Sequence, residues 1–174
     1  MTVSKIDPTH LGLKDALDLA ILIEEEAEER YSDFTTQMEV HGTPAAAKCF
    51  ARMAAAERKH HDELLARRRA RFGNAPVRIN RSMLWDVEAP GFETAQMFMN
   101  SRRALNVALT SETKARAFFA SLIPNAVDNE TRQLFTELED EERQHQELLK
   151  VQLAQLPAES DSSEPHLEDP PVAQ

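Results

Sequence analysis

The sequence predicts an all-α protein: a four-helix bundle made of two antiparallel helical hairpins joined by one long crossover. Three observations carry this. The 174 residues include four Gly, while Ala, Leu, Glu and Arg are abundant and β-branched runs are scarce, the composition of a helical chain. Four segments repeat apolar residues at alternating spacings of three and four, the period of a buried helix stripe. The breaks between them are short, long, short, which sets the topology.

The first helix is expected over residues 13–41, on the stripe Leu13, Leu17, Ala20, Glu24, Ala27, Tyr31, Phe34 and Met38. Gly42, Thr43 and Pro44 then offer a C′ glycine, an N-cap and a first-turn proline. The second helix reaches about residue 72, carries Phe50, Met53, Glu57, His60 and Leu64, and ends at Gly73-Asn74-Ala75-Pro76. Residues 73–100 form the crossover, with short helical pieces expected around Trp85 and Phe98. The second helix is about 40 Å long at about 1.5 Å per residue, and at about 3.3 Å per residue the crossover can run back along it.

The third helix is expected over residues 101–122, on Leu105, Ala108, Glu112, Ala115, Phe119 and Leu122. Pro124 breaks the chain. Asn125 or Asp128 caps a fourth helix that ends near residue 156 and carries Phe135, Leu138, Glu142, His145 and Leu149. The domain therefore spans residues 13–156, behind an N-terminal extension of residues 1–12. The last stretch, PAESDSSEPHLEDPPVAQ, is acidic, rich in Pro and Ser and lacks an apolar face, which predicts a disordered tail over residues 157–174.

Bulk properties exclude several functions. A net charge of −10 argues against nucleic acid and anionic membranes as partners. One cysteine, Cys49, allows no disulfide framework and no thiolate metal knuckle, and is expected to be a small buried residue. The polar start and the lack of a long apolar run predict a soluble, cytoplasmic protein. The basic run containing Arg67, Arg68, Arg69, Arg71, Arg78 and Arg81 falls at the C-terminal end of the second helix, where cations complement the helix dipole.

Every stripe carries ionisable residues at mid-length. The first and third helices each supply one Glu, and the second and fourth each supply Glu-x-x-His, whose members share a face one turn apart. The chain also repeats. ALDLAILIEEEAEERY matches ALNVALTSETKARAFF at an offset of 88, and FARMAAAERKHHDELL matches FTELEDEERQHQELL at an offset of 85, with stripes and ionisable residues superposed. One Glu-x-x-His occurs easily by chance; this whole pattern does not. Four buried carboxylates without countercharge would cost several kcal/mol each. Two divalent cations balance them, and two imidazoles complete a hard nitrogen and oxygen ligand set that suits iron or manganese. Off the stripe, Glu25, Glu26, Glu28, Glu29, Glu139, Glu141 and His61 are expected to face solvent. Tyr31 is open to two readings, a donor to a metal-bridging carboxylate or a core aromatic; its twin Phe119 cannot donate.

As a set, Glu24 followed by Tyr31, Glu57-x-x-His60, Glu112 followed by Phe119, and Glu142-x-x-His145 resemble the ferritin-like di-iron carboxylate proteins, most closely the rubrerythrin branch, over about residues 13–155. The resemblance implies a di-iron centre with Glu57 and Glu142 bridging, Glu24 and Glu112 terminal, and His60 and His145 on one metal each. It implies a homodimer or larger homo-oligomer. The sequence departs from the family in two ways. Its single cysteine cannot make a rubredoxin domain, so electrons would come from a separate rubredoxin-like protein or reductase. Ala115, with its twin Ala27, stands where the family commonly has an additional carboxylate, which leaves a symmetric set similar to that of bacterioferritin. No haem is implied, because Arg58 stands where bacterioferritin has its haem Met.

The expected activity is reduction of hydrogen peroxide or dioxygen at two irons, with manganese possible. The alternative is a ferroxidase that handles iron as substrate. A di-iron hydroxylase, a dimanganese catalase and a metal-free helical interaction module are the remaining readings, and metal-dependent stability separates the last from the others.

Overall fold

The computed structural model describes residues 10–81 and 100–157. It contains α1 (Leu13–Val40), α2 (Pro44–Phe72), α3 (Ser101–Leu122) and α4 (Asn129–Gln155), with a 3-10 turn at Ile123–Asn125, and no strand among the described residues. The helices match the periodicity to within a residue or so. The expected pieces near Trp85 and Phe98, residues 1–9 and residues 158–174 lie outside the described residues. Leu11, before α1, is already buried against the core.

Helix ends follow local chemistry. Gly42 sits at φ 71°, the left-handed region that favours glycine, and Pro44 opens α2. Thr43 occupies the N-cap of α2 without a side-chain bond. Asp128, rather than Asn125, caps α4, its carboxylate accepting from the Thr131 N–H at 2.7 Å. Asn100 does the same for α3, accepting from the Arg103 N–H at 2.8 Å.

Helix α1 packs chiefly on α2, and α3 on α4, making the two hairpins. All the stripe residues named above are buried. They sort into two apolar clusters. One holds Leu17, Leu64, Phe119, Leu122, Phe135 and Leu138. The other holds Phe34, Met38, Phe50, Met53, Leu105 and Leu149. Along each helix the stripe leaves one cluster and enters the other, and the ionisable residues fall at the change. Each large apolar side chain so buried contributes about 1.5–3 kcal/mol. Phe50 stacks on Tyr31 and meets Phe34 at a tilt, with ring centroids at 5.9 and 5.2 Å; its truncation to Ala would cost about 3–5 kcal/mol.

One buried ion pair ties the first hairpin near its open end. Arg68 donates from Nε to Asp18 at 2.8 Å and from its two terminal nitrogens to the carbonyls of Gly73 and Ala75 at 2.8 and 2.6 Å. Lys14 bonds the other Asp18 oxygen at 2.9 Å. Arg68 thus does more than complement a helix dipole: it satisfies carbonyls in the turn beyond α2. Arg67, Arg71 and Arg81 pair with Glu137, Glu130 and the Glu25–Glu29 pair. No described helix is long and apolar enough to cross a membrane.

Candidate metal centre

Glu24, Glu57, His60, Glu112, Glu142 and His145 converge between the two apolar clusters. The four Glu are fully buried, and His60 and His145 are 9% and 8% exposed. The imidazoles stack with centroids 5.0 Å apart and planes 7° from parallel. His60 Nδ1 lies 3.8 Å from Glu24 and 3.9 Å from Glu57. His145 Nδ1 lies 2.9 Å from Glu112, 3.5 Å from Glu57 and 3.8 Å from Glu142. Two overlapping sets have ligand atoms close enough for one ion each: Glu57, His60 and His145, and Glu112, Glu142 and His145.

The two sides of the chamber are bonded differently. Tyr31 donates its hydroxyl proton across the bundle to Glu112 Oε1 at 2.8 Å. His145 holds Glu112 Oε2, and Gln146 bonds the Glu112 backbone carbonyl at 3.1 Å. Burial opposes ionisation of Glu112, but the bonds from His145 and Tyr31 win and hold it below the usual carboxylate range. Burial likewise opposes charging of His145, yet Glu112 pulls its pKa up. Each group thus favours the charged form of the other. Tyr31 is therefore a donor, but to a carboxylate that the family resemblance makes terminal rather than bridging.

Glu24 has no such support. No N–H or fixed hydroxyl reaches its buried oxygens. The group beside it is the carboxyl of Glu57, and two carboxyls can hydrogen-bond only by sharing a proton. Burial raises Glu24 to about 8. Burial also pushes His60 down to about 4, so at neutral pH it is an uncharged imidazole with an open nitrogen, and its Nδ1 receives no hydrogen bond. Four buried carboxyl groups beside two imidazoles, one of them neutral, are a donor set short of positive charge. A divalent cation supplies that charge and uses these ligand atoms, so the residues fit a metal.

The off-stripe residues are more engaged than expected. Glu28 pairs with Arg58, Glu29 with Arg81 and Glu139 with Arg116. Glu25 also reaches Arg81, and Glu26 lies 3.7 Å from Arg30. His61 sits beside Asp62. Glu141 departs most from expectation: it is half-buried, 3.9 Å from His60. Sequence reasoning missed Asp18, Arg68 and Gln146 because each is a polar residue whose partner comes from a distant segment or a backbone carbonyl.

A sequence family described as Rubrerythrin matches residues 15–153. A crystal structure of an uncharacterized conserved protein from Magnetospirillum magnetotacticum MS-1 is similar at a TM-score of 0.70 and 26% identity, covering 87% of this chain and 100% of that one. No curated protein matches.

Proposed function

This chain belongs to the rubrerythrin family, and on that premise we propose that it is a di-iron oxidoreductase that reduces hydrogen peroxide, or dioxygen, with electrons from a separate redox protein. The observation that carries the reading is the buried set of four Glu and two His, with too little protein positive charge to balance it. Glu24, Glu57, His60, Glu112, Glu142 and His145 would hold the metals. Iron bound there would supply one electron from each of two ions to a substrate O–O bond.

The chain's own residues do the remaining work. Tyr31 fixes one oxygen of Glu112 and so orients that carboxylate. His145 Nδ1 lies 2.9 Å from Glu112 Oε2, and a protonated His145 would have to give up one ring proton before it could act as a ligand. The apolar clusters on either side restrict water. Glu24, which no N–H or fixed hydroxyl reaches, could reorient as charge in the chamber changes.

A second reading, oxidation of ferrous iron as substrate, draws support from the fully buried Ala27 and Ala115, which leave the carboxylate set symmetric. An anaerobic ferrous titration followed by one addition of oxidant tests both. Uptake of two irons per chain, with oxidation by peroxide much faster than by dioxygen, supports the peroxidase. Repeated ferrous oxidation by dioxygen without a reductant supports iron handling. Absence of iron binding overturns both.

A further inference from the structure

Between α2 and α4 a cleft of about 120 Å³ opens on His60. Its walls are Leu64, Leu134 and Leu138, and its rim is Glu63, Glu137, Glu141 and Arg67. We propose that this cleft is the door through which divalent cations reach the metal centre, and that Glu141 receives the cation at the mouth and hands it to His60.

Four observations carry the inference. His60, the lining residue that belongs to the metal-centre set, is nine-tenths buried, and its Nδ1 has no hydrogen-bond partner. A nitrogen in that condition is a ligand atom waiting at the end of the passage. Glu141 stands between it and solvent: one of its oxygens is 3.9 Å from His60 Nδ1 while its side chain keeps 34% exposure. The cleft has room for a small ion with part of its water shell. Three carboxylates against one guanidinium at the mouth, within apolar walls, focus a field that concentrates cations. Arg67 and Glu137 bridge at 2.6 Å on that rim, and Lys59 beside it lies 3.7 Å from Glu63, so the nearby cations are each paired with a carboxylate.

The internal repeat supplies a control within the same molecule. At the offset of 85, Glu63 corresponds to Leu148, Glu137 to Arg52 and Glu141 to Ala56. The equivalent positions on the other side of the pseudo-symmetric chamber thus carry no carboxylate at all. Acidity at the mouth is not inherited from the repeat; it belongs to one side.

The proposal rests on the reading of the chamber as a metal centre, and uptake kinetics separate the two. Metal-free full-length protein is mixed with Co²⁺, and the visible absorbance of bound cobalt is followed in a stopped-flow instrument. Glu141→Gln should slow uptake about tenfold and flatten its dependence on ionic strength. A door lowers the barrier in both directions, so chelator-driven release should slow by a similar factor, with the amount bound at saturation retained. Glu63→Gln should slow uptake by a smaller factor, and Glu147→Gln, an equal charge change on exposed α4 surface, should not. Unchanged uptake in Glu141→Gln would overturn the door while leaving the metal centre intact. Faster release and weaker binding would also overturn it, by making Glu141 a resident ligand. If the unsubstituted protein binds no cobalt, the functional reading falls and the door with it.

Discussion

The α1–α2 and α3–α4 hairpins place the same ionisable residues at the same depth, yet they treat them differently. Glu112 is held by Tyr31 and paired with His145, and it ionises easily. Its twin Glu24 has no N–H or fixed hydroxyl donor, and burial raises its pKa to about 8. Asp18 and Arg68 lock the first hairpin, while their counterparts in the second are Asn106 and Leu153. A repeated sequence thus gives two candidate metal positions that are chemically unequal. One is organised before an ion arrives; the other depends on the ion for its organisation.

The most severe way to break the comparison is to remove what the halves share. Glu57→Ala with Glu142→Ala should abolish paired metal binding while far-ultraviolet circular dichroism stays helical; full metal content in the double variant would refute the ligand assignment. Next comes the lock. Asp18→Ala strands Arg68 without its carboxylate and should lower stability by about 3–5 kcal/mol in denaturant unfolding. Asn106→Ala, at the twin position, should change it by less than about 0.5 kcal/mol.

Tyr31→Phe makes the first half resemble the second, where Phe119 stands. It removes a buried donor from Glu112, so stability should fall by about 1–3 kcal/mol. Affinity for one of two ions should weaken about tenfold while the other holds, as seen in a two-step calorimetric titration. Equal weakening of both ions would mean that the halves are not separable.

The smallest effect is in pH dependence. Glu24 titrates higher in the folded protein than in the unfolded chain, so its contribution is most favourable at low pH and is lost as pH rises from about 4.5 through about 8. His60 is shifted the other way, to about 4, and costs stability only as pH falls below its ordinary value of 6.5. Between pH 6.5 and 8 the metal-free protein should therefore lose about 1–2 kcal/mol through Glu24. Glu24→Gln should remove that share and leave the part owed to the His145–Glu112 pair.

Much of this was legible in the sequence because it is periodic. A stripe that steps by threes and fours states which face is buried, and a Glu or His on that stripe has nowhere to go except the interior. The repeat then says that the four faces meet at one depth. What periodicity cannot convey is partnership. Nothing in the spacing of Glu141 tells that the α2–α4 separation leaves a cleft beside it. Nothing local to Arg68 tells that it turns inward to Asp18, fifty residues away. Asn100 was missed as a cap because it follows a long crossover rather than a short turn.

Tyr31 has a consequence for anyone who wishes to observe the molecule. It is the only tyrosine in the chain, fully buried, with its hydroxyl on Glu112. Its phenol is thus a built-in optical probe of one half of the centre and not of the other. When a cation draws charge from Glu112, the carboxylate becomes a poorer acceptor and the tyrosine absorption should move to shorter wavelength. Loading of that half can then be timed with no label attached, and an ion that fills only the other half should leave the band where it was.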